Sequence, residues 1–440
     1  MTQRKLPALP FALSFIGKWS LLSALVAALS GTASAFFLFA LEQATRTRLA
    51  HPWLIWLLPL GGFAVGMAYL RLGKEVEGGN NLLIDEIHDP QKTVPLRMVP
   101  LVLTGTVVTH LFGGSAGREG TAVQMGGALA DQVHKVLPLQ PEDRRMLLMA
   151  GISAGFASVF GTPLAGAIFG LEVLAIGRLR YDAILPCLAA AILGDQTSLL
   201  WGVHHTLYRI PFIPALDAWG LCASVLAGAA FGLTGKLFAE SVHWLADCLR
   251  RRIAFAPLRP LIGVGGGAIA VAASLMDARA YLGLGIPTLV SAFQQPLSPY
   301  DVIGKLGFTV ATLGSGFKGG EVTPLFYIGA ALGNMLAPLL HLPFPLLAGM
   351  GFVAVFAGAA NTPLASTVMA LELFGSEIGV YAGMACVVAY LFSGHSSIYR
   401  AQRIGVAKRR GVPENIRLAD WPALRQATRR KQETSGPDVG

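Results

Sequence analysis

Residues 155–173 read GFASVFGTPLAGAIFGLEV, and residues 351–373 read GFVAVFAGAANTPLASTVMALEL. At an offset of 200, Thr162, Pro163, Leu164, Ala165, Leu171 and Glu172 return as Thr362, Pro363, Leu364, Ala365, Leu371 and Glu372. So many identities at one register mark an internal repeat. Upstream, GSAGREGTAVQMGGALAD from Gly114 pairs with GSGFKGGEVTPLFYIGAALG from Gly314 at the same offset, apart from a short insertion. The halves meet near HTLYRIPFIPA, 205–215. The expected organisation is a first repeat over 1–210, a second over 211–400, and a short basic tail over 401–440. Each Thr-Pro reads as a helix start, because proline suits the first turn. Glu172 and Glu372 hold equivalent places on apolar helices, which points to one shared structural task at helix ends.

Composition sets the solvent. Of the 440 residues 53% are hydrophobic and only 13% charged, against roughly 25% charged in a soluble domain, and the mean hydropathy is +0.57. A single soluble core is excluded. Apolar stretches at 18–42, 53–70, 99–112, 182–201, 215–240, 259–276, 344–360 and 376–393 approach the ~20 residues that cross a bilayer as a helix. Others, at 121–133, 284–294 and 325–339, read as too short and are flanked by Gly or Pro. Broken helices are tolerated in a membrane only where they face protein or a water-filled cavity. The fold class expected is therefore an all-α polytopic membrane protein with broken and re-entrant helices.

The run through 1–35 superficially resembles a secretory leader, but it continues through Phe36, Phe37, Leu38 and Phe39, so a retained first helix is expected. Formal net charge is +9, and Arg400, Arg403, Lys408, Arg409, Arg410, Arg417, Arg425, Arg429, Arg430 and Lys431 crowd the C-terminal end. With Arg4 and Lys5, these fit a positive-inside pattern that puts both termini in the cytoplasm, and no nucleic-acid patch is expected. Cys187, Cys222, Cys248 and Cys386 are widely spaced and read as buried apolar thiols. Glu75, Glu77, Asp85, Glu86, His88 and Asp89 are metal-ligand types at irregular spacing, so a solvated face is expected and no metal. No motif indicates a bound nucleotide or other cofactor.

Repeats of this kind commonly hold substrate between half-helices whose N-termini point inward. Such an end presents unpaired N–H groups and the positive end of the helix dipole, so it binds anions. Four Gly-rich segments qualify: GGNNLLIDE from Gly78, GSAGREGT from Gly114, GSGFKGGEVTPLF from Gly314 and YLGLGIPTL from Tyr281.

These motifs resemble those of the CLC superfamily of chloride channels and anion/proton exchangers. GREG at 117–120 is similar to the family's gating-glutamate motif, GGEVTP at 319–324 to its second-repeat filter motif, and Tyr399 falls at its central tyrosine. The resemblance spans about 20–400 and implies an inverted-repeat CLC-like helical fold, a homodimer, and a separate pathway in each subunit. Departures narrow it. The family serine of the GSGIP motif is Asn80, the proline after GREG is Thr121, the filter alanine is Thr323, and a second glutamate after the position of Glu172 is Val173. That set looks like the fluoride/proton antiporter branch.

The resemblance implies that Glu119 is gate and proton carrier, with Glu321 as a second proton-handling group. It implies anion contacts from Asn80, Thr323 and Tyr399, with Asn81 as the competing assignment to Asn80. Main-chain N–H groups at Val322 and Gly120 complete the set. Chemistry agrees: fluoride is strongly hydrated, and an Asn amide offers two donors where a serine hydroxyl offers one. The implied partners are fluoride, protons and the lipid bilayer, and the implied location is a bacterial inner membrane.

Plainer readings stand beside these. Glu119 can pair with Arg118, Asn80 can cap a helix, Thr323 can bond its own backbone, Tyr399 can sit in an interfacial belt, and Lys318 can be a solvated charge. Chloride exchange or passive anion flow would use the same fold. A remote alternative is an intramembrane serine hydrolase, since GGSAG (113–117) and GISAG (151–155) fit GxSxG and His110 lies close. That pattern is cheap in a chain with 52 glycines and lacks the strand-to-helix turn of a nucleophile elbow.

Overall fold

The structure, a computed structural model, describes residues 8–137, 139–262, 269–271, 274 and 278–424. Arg4, Lys5, Arg425, Arg429, Arg430 and Lys431 lie outside the described residues, as does much of the 259–276 run. The rest is built from helices, and five are long and apolar enough to cross a membrane: Ala12–Ala50, Pro52–Leu72, Tyr181–Leu200, Ala218–Arg252 and Val322–Leu340. The outward faces of these helices are apolar. Leu21 is 73% exposed and Trp244 69%, while Trp19 is fully covered, an arrangement suited to lipid rather than water. The first helix runs unbroken over Ala8–Ala50.

Two of the segments read as too short are longer than expected. The helices run over Glu119–Val136 and Val322–Leu340, because they start in the polar motifs rather than at the first apolar residue. The 284–294 segment does yield only a six-residue helix, Ile286–Ser291. One departure from pure helix is a two-residue parallel pair, Ala175–Ile176 with Arg403–Ile404.

The repeat is visible as bonding. Helix Pro163–Glu172 ends in Glu172, whose carboxylate accepts from the N–H groups of Leu364 at 3.0 Å and Ala365 at 2.8 Å. These begin the equivalent helix, Pro363–Phe374, and its Glu372 accepts in return from Leu164 and Ala165, each at 2.8 Å. Each acid thus satisfies orphan donors at the start of its counterpart. Because the C-terminal end of one meets the N-terminal end of the other, the two helices run antiparallel.

Each half also has a glycine crossing. A Cβ at Gly126 would lie 2.2 Å from the Gly151 carbonyl oxygen, and one at Gly329 would lie 2.0 Å from that of Gly351. No larger residue lets helices 119–136 and 322–340 seat this closely on Pro141–Phe160 and Phe344–Ala360. Beneath the first half, buried Arg144 bonds Asp131 at 2.7 and 2.8 Å, Glu86 at 3.2 Å and the Lys92 carbonyl at 2.8 Å. Glu86, expected on a solvated face, is buried because it belongs to this cluster. Asp85, Asp89 and Glu75 instead pair with Arg417, Arg403 and Arg97. Cys187 and Cys386 are buried as expected, but Cys222 is exposed.

Candidate functional site

Three helix starts converge. Helix Asn80–His88 follows Gly79, whose φ of +58° and ψ of −128° suit glycine. Helix Glu119–Val136 follows Arg118, and Val322–Leu340 follows Glu321. The last two are joined across the repeat by a short antiparallel bridge: the Gly117 N–H donates to the Gly320 carbonyl at 2.6 Å and the Gly320 N–H to the Gly117 carbonyl at 2.9 Å. A Cβ at Gly117 would sit 2.9 Å from Pro324 Cδ and 3.0 Å from the Thr323 N. The glycines of GREG and GGEV are therefore what let the two motifs touch.

Across this bridge lies Glu119, only 1% exposed. Its Oε2 accepts from Thr323 Oγ1 at 2.6 Å, from the Thr323 N–H at 3.1 Å and from the Arg118 N–H at 3.3 Å. Among the described residues Oε1 has no hydrogen-bond partner, and Arg118 Nε is 3.6 Å from it. A carboxylate on the N-terminus of helix 322–340 occupies the kind of place that suits a small anion. Thr121, at the family's proline, bonds Thr106 side chain to side chain at 2.7 Å.

Asn80 faces the same point. A Cβ on Gly120 would come 3.1 Å from Asn80 Nδ2, and Asn80 Oδ1 is buried without a partner among the described residues. Beside it a cavity of about 180 Å³ is lined by Asn80, Asn81, Gln124, Lys318, Glu321 and Tyr399, among others. Asn81 is differently engaged: its Oδ1 accepts from the Ala401 N–H at 2.8 Å, tying the Asn80 helix to the segment that carries Tyr399. Tyr399 is 3% exposed and meets Phe169 edge-on at 6.4 Å. Val322 and Gly120 are buried in the first turns of their helices.

Motif reading thus assembles Glu119, Gly120, Glu321, Val322, Thr323, Asn80 and Tyr399 in one place. The fourth Gly-rich segment, 281–289, does not line this cavity; its carbonyls at Tyr281 and Gly283 accept instead from Lys305 Nζ at 3.1 and 2.7 Å. Lys318, read as a solvated charge, lies over the Tyr69 ring at 4.0 Å within the cavity wall. Gln124 and His243 also line the cavity and were missed. Each stands among other polar residues of its helix, such as Thr121 and Asp131 around Gln124 and Glu240 and Asp247 around His243, so no local signal set it apart. The hydrolase pattern dissolves: Ser115 Oγ meets Thr309 Oγ1 at 2.9 Å, and both His110 ring nitrogens face carbonyls, of Thr106 and Ala116.

The profile of the voltage gated chloride channel family matches residues 61–394. The chain is 63% identical over 415 residues to the chloride/fluoride channel protein of Pseudomonas syringae pv. tomato, covering 93% of this chain and 91% of that protein. With an H(+)/Cl(-) exchange transporter of Cronobacter sakazakii it shares 28% identity over 382 residues, 80% of this chain and 81% of the relative. It superposes on the crystal structure of a CLC-type fluoride/proton antiporter with a TM-score of 0.85 at 36% identity, covering 90% of this chain and 99% of the other. A slow cyanobacterial Cl-/H+ antiporter shares the fold, with a TM-score of 0.73 at 21% identity over 85% and 94% of the two chains.

Proposed function

The chain belongs to the voltage-gated chloride channel (CLC) family, and on that premise we propose that it exports fluoride in exchange for protons. The observation that carries this reading is the Glu119 carboxylate on Thr323, an internal anion held by a main-chain N–H and a hydroxyl at a helix start. Fluoride would compete for the same donors. Protonated Glu119 accepts those bonds more weakly and withdraws, so anion entry and proton loading are linked through one residue. The names of the Pseudomonas syringae relative and of the antiporter that superposes on the chain both include fluoride.

In this scheme Asn80 and the Thr323 hydroxyl supply side-chain donors for a small, hard anion, and Tyr399 closes the cavity side. The N–H groups at Val322 and Gly120 add main-chain donors. Stripping water from such an anion is costly unless donors replace it, which favours Asn over Ser at position 80. Glu321 takes the proton onward. Asn81 positions the Tyr399 segment by accepting from the Ala401 N–H on Oδ1, and its Nδ2 remains a competing donor to that of Asn80. The protein works as a homodimer in a bacterial inner membrane with both termini in the cytoplasm.

The test is purified protein in liposomes loaded with fluoride or with chloride, anion efflux and proton uptake being recorded together. The expected result is fluoride efflux with simultaneous proton uptake, and slower chloride efflux. Chloride leaving as readily would favour general anion exchange, and fluoride leaving without protons would make this a channel.

A further inference from the structure

A proton that reaches Glu321 must still leave. In the first half the residue after Glu172 is Val173, buried and apolar, so that position offers no proton acceptor. Elsewhere, a single histidine stands between two cavities. His243, in the last third of helix Ala218–Arg252, lines the 180 Å³ cavity with Glu321 and Tyr399. It also lines a wider groove of about 490 Å³ bounded by Asp247, Arg400 and Leu418. Among the described residues no other lines both.

The ring is fixed in a useful tautomer. His243 Nε2 lies 2.9 Å from the Ser397 carbonyl, which can only accept, so Nε2 carries the hydrogen and Nδ1 of the neutral ring holds a free lone pair. Ser397 in turn accepts the Tyr399 N–H on its hydroxyl at 3.0 Å, so the ring and the anion-site tyrosine share one turn of chain.

We propose that His243 is the proton's exit residue, passing it from the Glu321 cavity to the groove. This rests on the antiport reading above. The Glu321 carboxylic acid gives its proton through one or more waters to Nδ1, leaving a carboxylate and an imidazolium whose Nε2–H stays on Ser397. The imidazolium then releases the Nδ1 proton to water in the groove and returns to the neutral ring. Histidine suits the step because one neutral ring offers an acceptor nitrogen while its other N–H stays bonded.

The titratable and charged groups around the ring are Glu240, Asp247 and Arg250 from its own helix, Arg400 and His395 from the segment after helix Gly379–Phe392, and Glu77, Lys318, Glu321 and Tyr399 around the inner cavity. Arg400 is held by Asp247 at 2.6 and 3.2 Å, which offsets its charge locally.

The test uses full-length protein in liposomes and compares wild type with His243→Gln. Glutamine keeps an N–H donor for the Ser397 carbonyl but has no titratable nitrogen, so a merely structural role survives the change. Proton uptake per unit time should fall at least about tenfold, and fluoride binding by calorimetry should stay at the wild-type value. His243→Ala should show the same proton loss. Unchanged proton uptake in His243→Gln, or fluoride binding lost along with it, would overturn the exit role alone. Wild-type protein moving fluoride without protons would overturn the antiport reading and this proposal with it.

Discussion

Thr323→Val removes one hydroxyl while keeping the β-branched shape and the main-chain N–H of the helix start. The hydroxyl donates to the Glu119 carboxylate at 2.6 Å, and a hydrogen bond to a charged acceptor contributes about 1.5–3 kcal/mol. The N–H at 3.1 Å is left in place, so the change tests the hydroxyl alone. If fluoride takes the carboxylate's place, it loses the same donor, and its affinity should fall about 10- to 150-fold. Chloride, larger and less dependent on close donors, should lose less, so selectivity narrows as well. Titration calorimetry with each anion measures both, and Thr323→Ser, which keeps the hydroxyl, should stay near wild type. Fluoride affinity within about twofold of wild type in the valine variant, or an equal loss for both anions, would refute the reasoning.

Five further changes follow from the same geometry. Asn80→Ser should raise chloride flux relative to fluoride in liposomes, because one donor replaces two; an unchanged ratio would remove Asn80 from the selectivity site. Gly117→Ala sets a Cβ 2.9 Å from Pro324 Cδ and 3.0 Å from the Gly320 carbonyl, so it should abolish fluoride flux while the protein still elutes as a single species; normal flux would contradict the bridge's role. Glu172→Ala and Glu372→Ala each strip two charge-assisted bonds from a helix start, and each should cost about 3 kcal/mol or more and lower the thermal midpoint alike. A strong effect from one and none from the other would count against the symmetric capping. Arg144→Ala strands the buried acids Asp131 and Glu86, which should cost about 3–5 kcal/mol and show as lost folded yield on size-exclusion chromatography.

Much of this was legible because the repeat is a sequence property. The offset of 200 paired Glu172 with Glu372 and predicted a common helix-end task, and the two acids do cap each other's helices. The glycine motifs named the helix starts that carry Asn80, Glu119 and Thr323. What escaped was set by contacts distant in the chain. Nothing near Asn81 signals that its carbonyl meets Ala401, 320 positions away. Glu86 looked solvated because its partner Arg144 arrives from another helix. Lys318 sits between Phe317 and Gly319 in a glycine-rich loop, and only the folded chain brings the Tyr69 ring beneath it. Helix lengths at 121–133 and 325–339 were underestimated because an apolar count omits polar residues that begin a helix at an ion site.

The central claim is that Glu119 both competes with fluoride and carries the proton, and Glu119→Gln tests it most directly because glutamine keeps the shape and cannot cycle a proton. In liposomes with fluoride inside, efflux from wild-type vesicles should draw protons inward even against an opposing pH gradient. The glutamine protein should draw none while still binding fluoride. Proton uptake at the wild-type rate in Glu119→Gln would contradict the account.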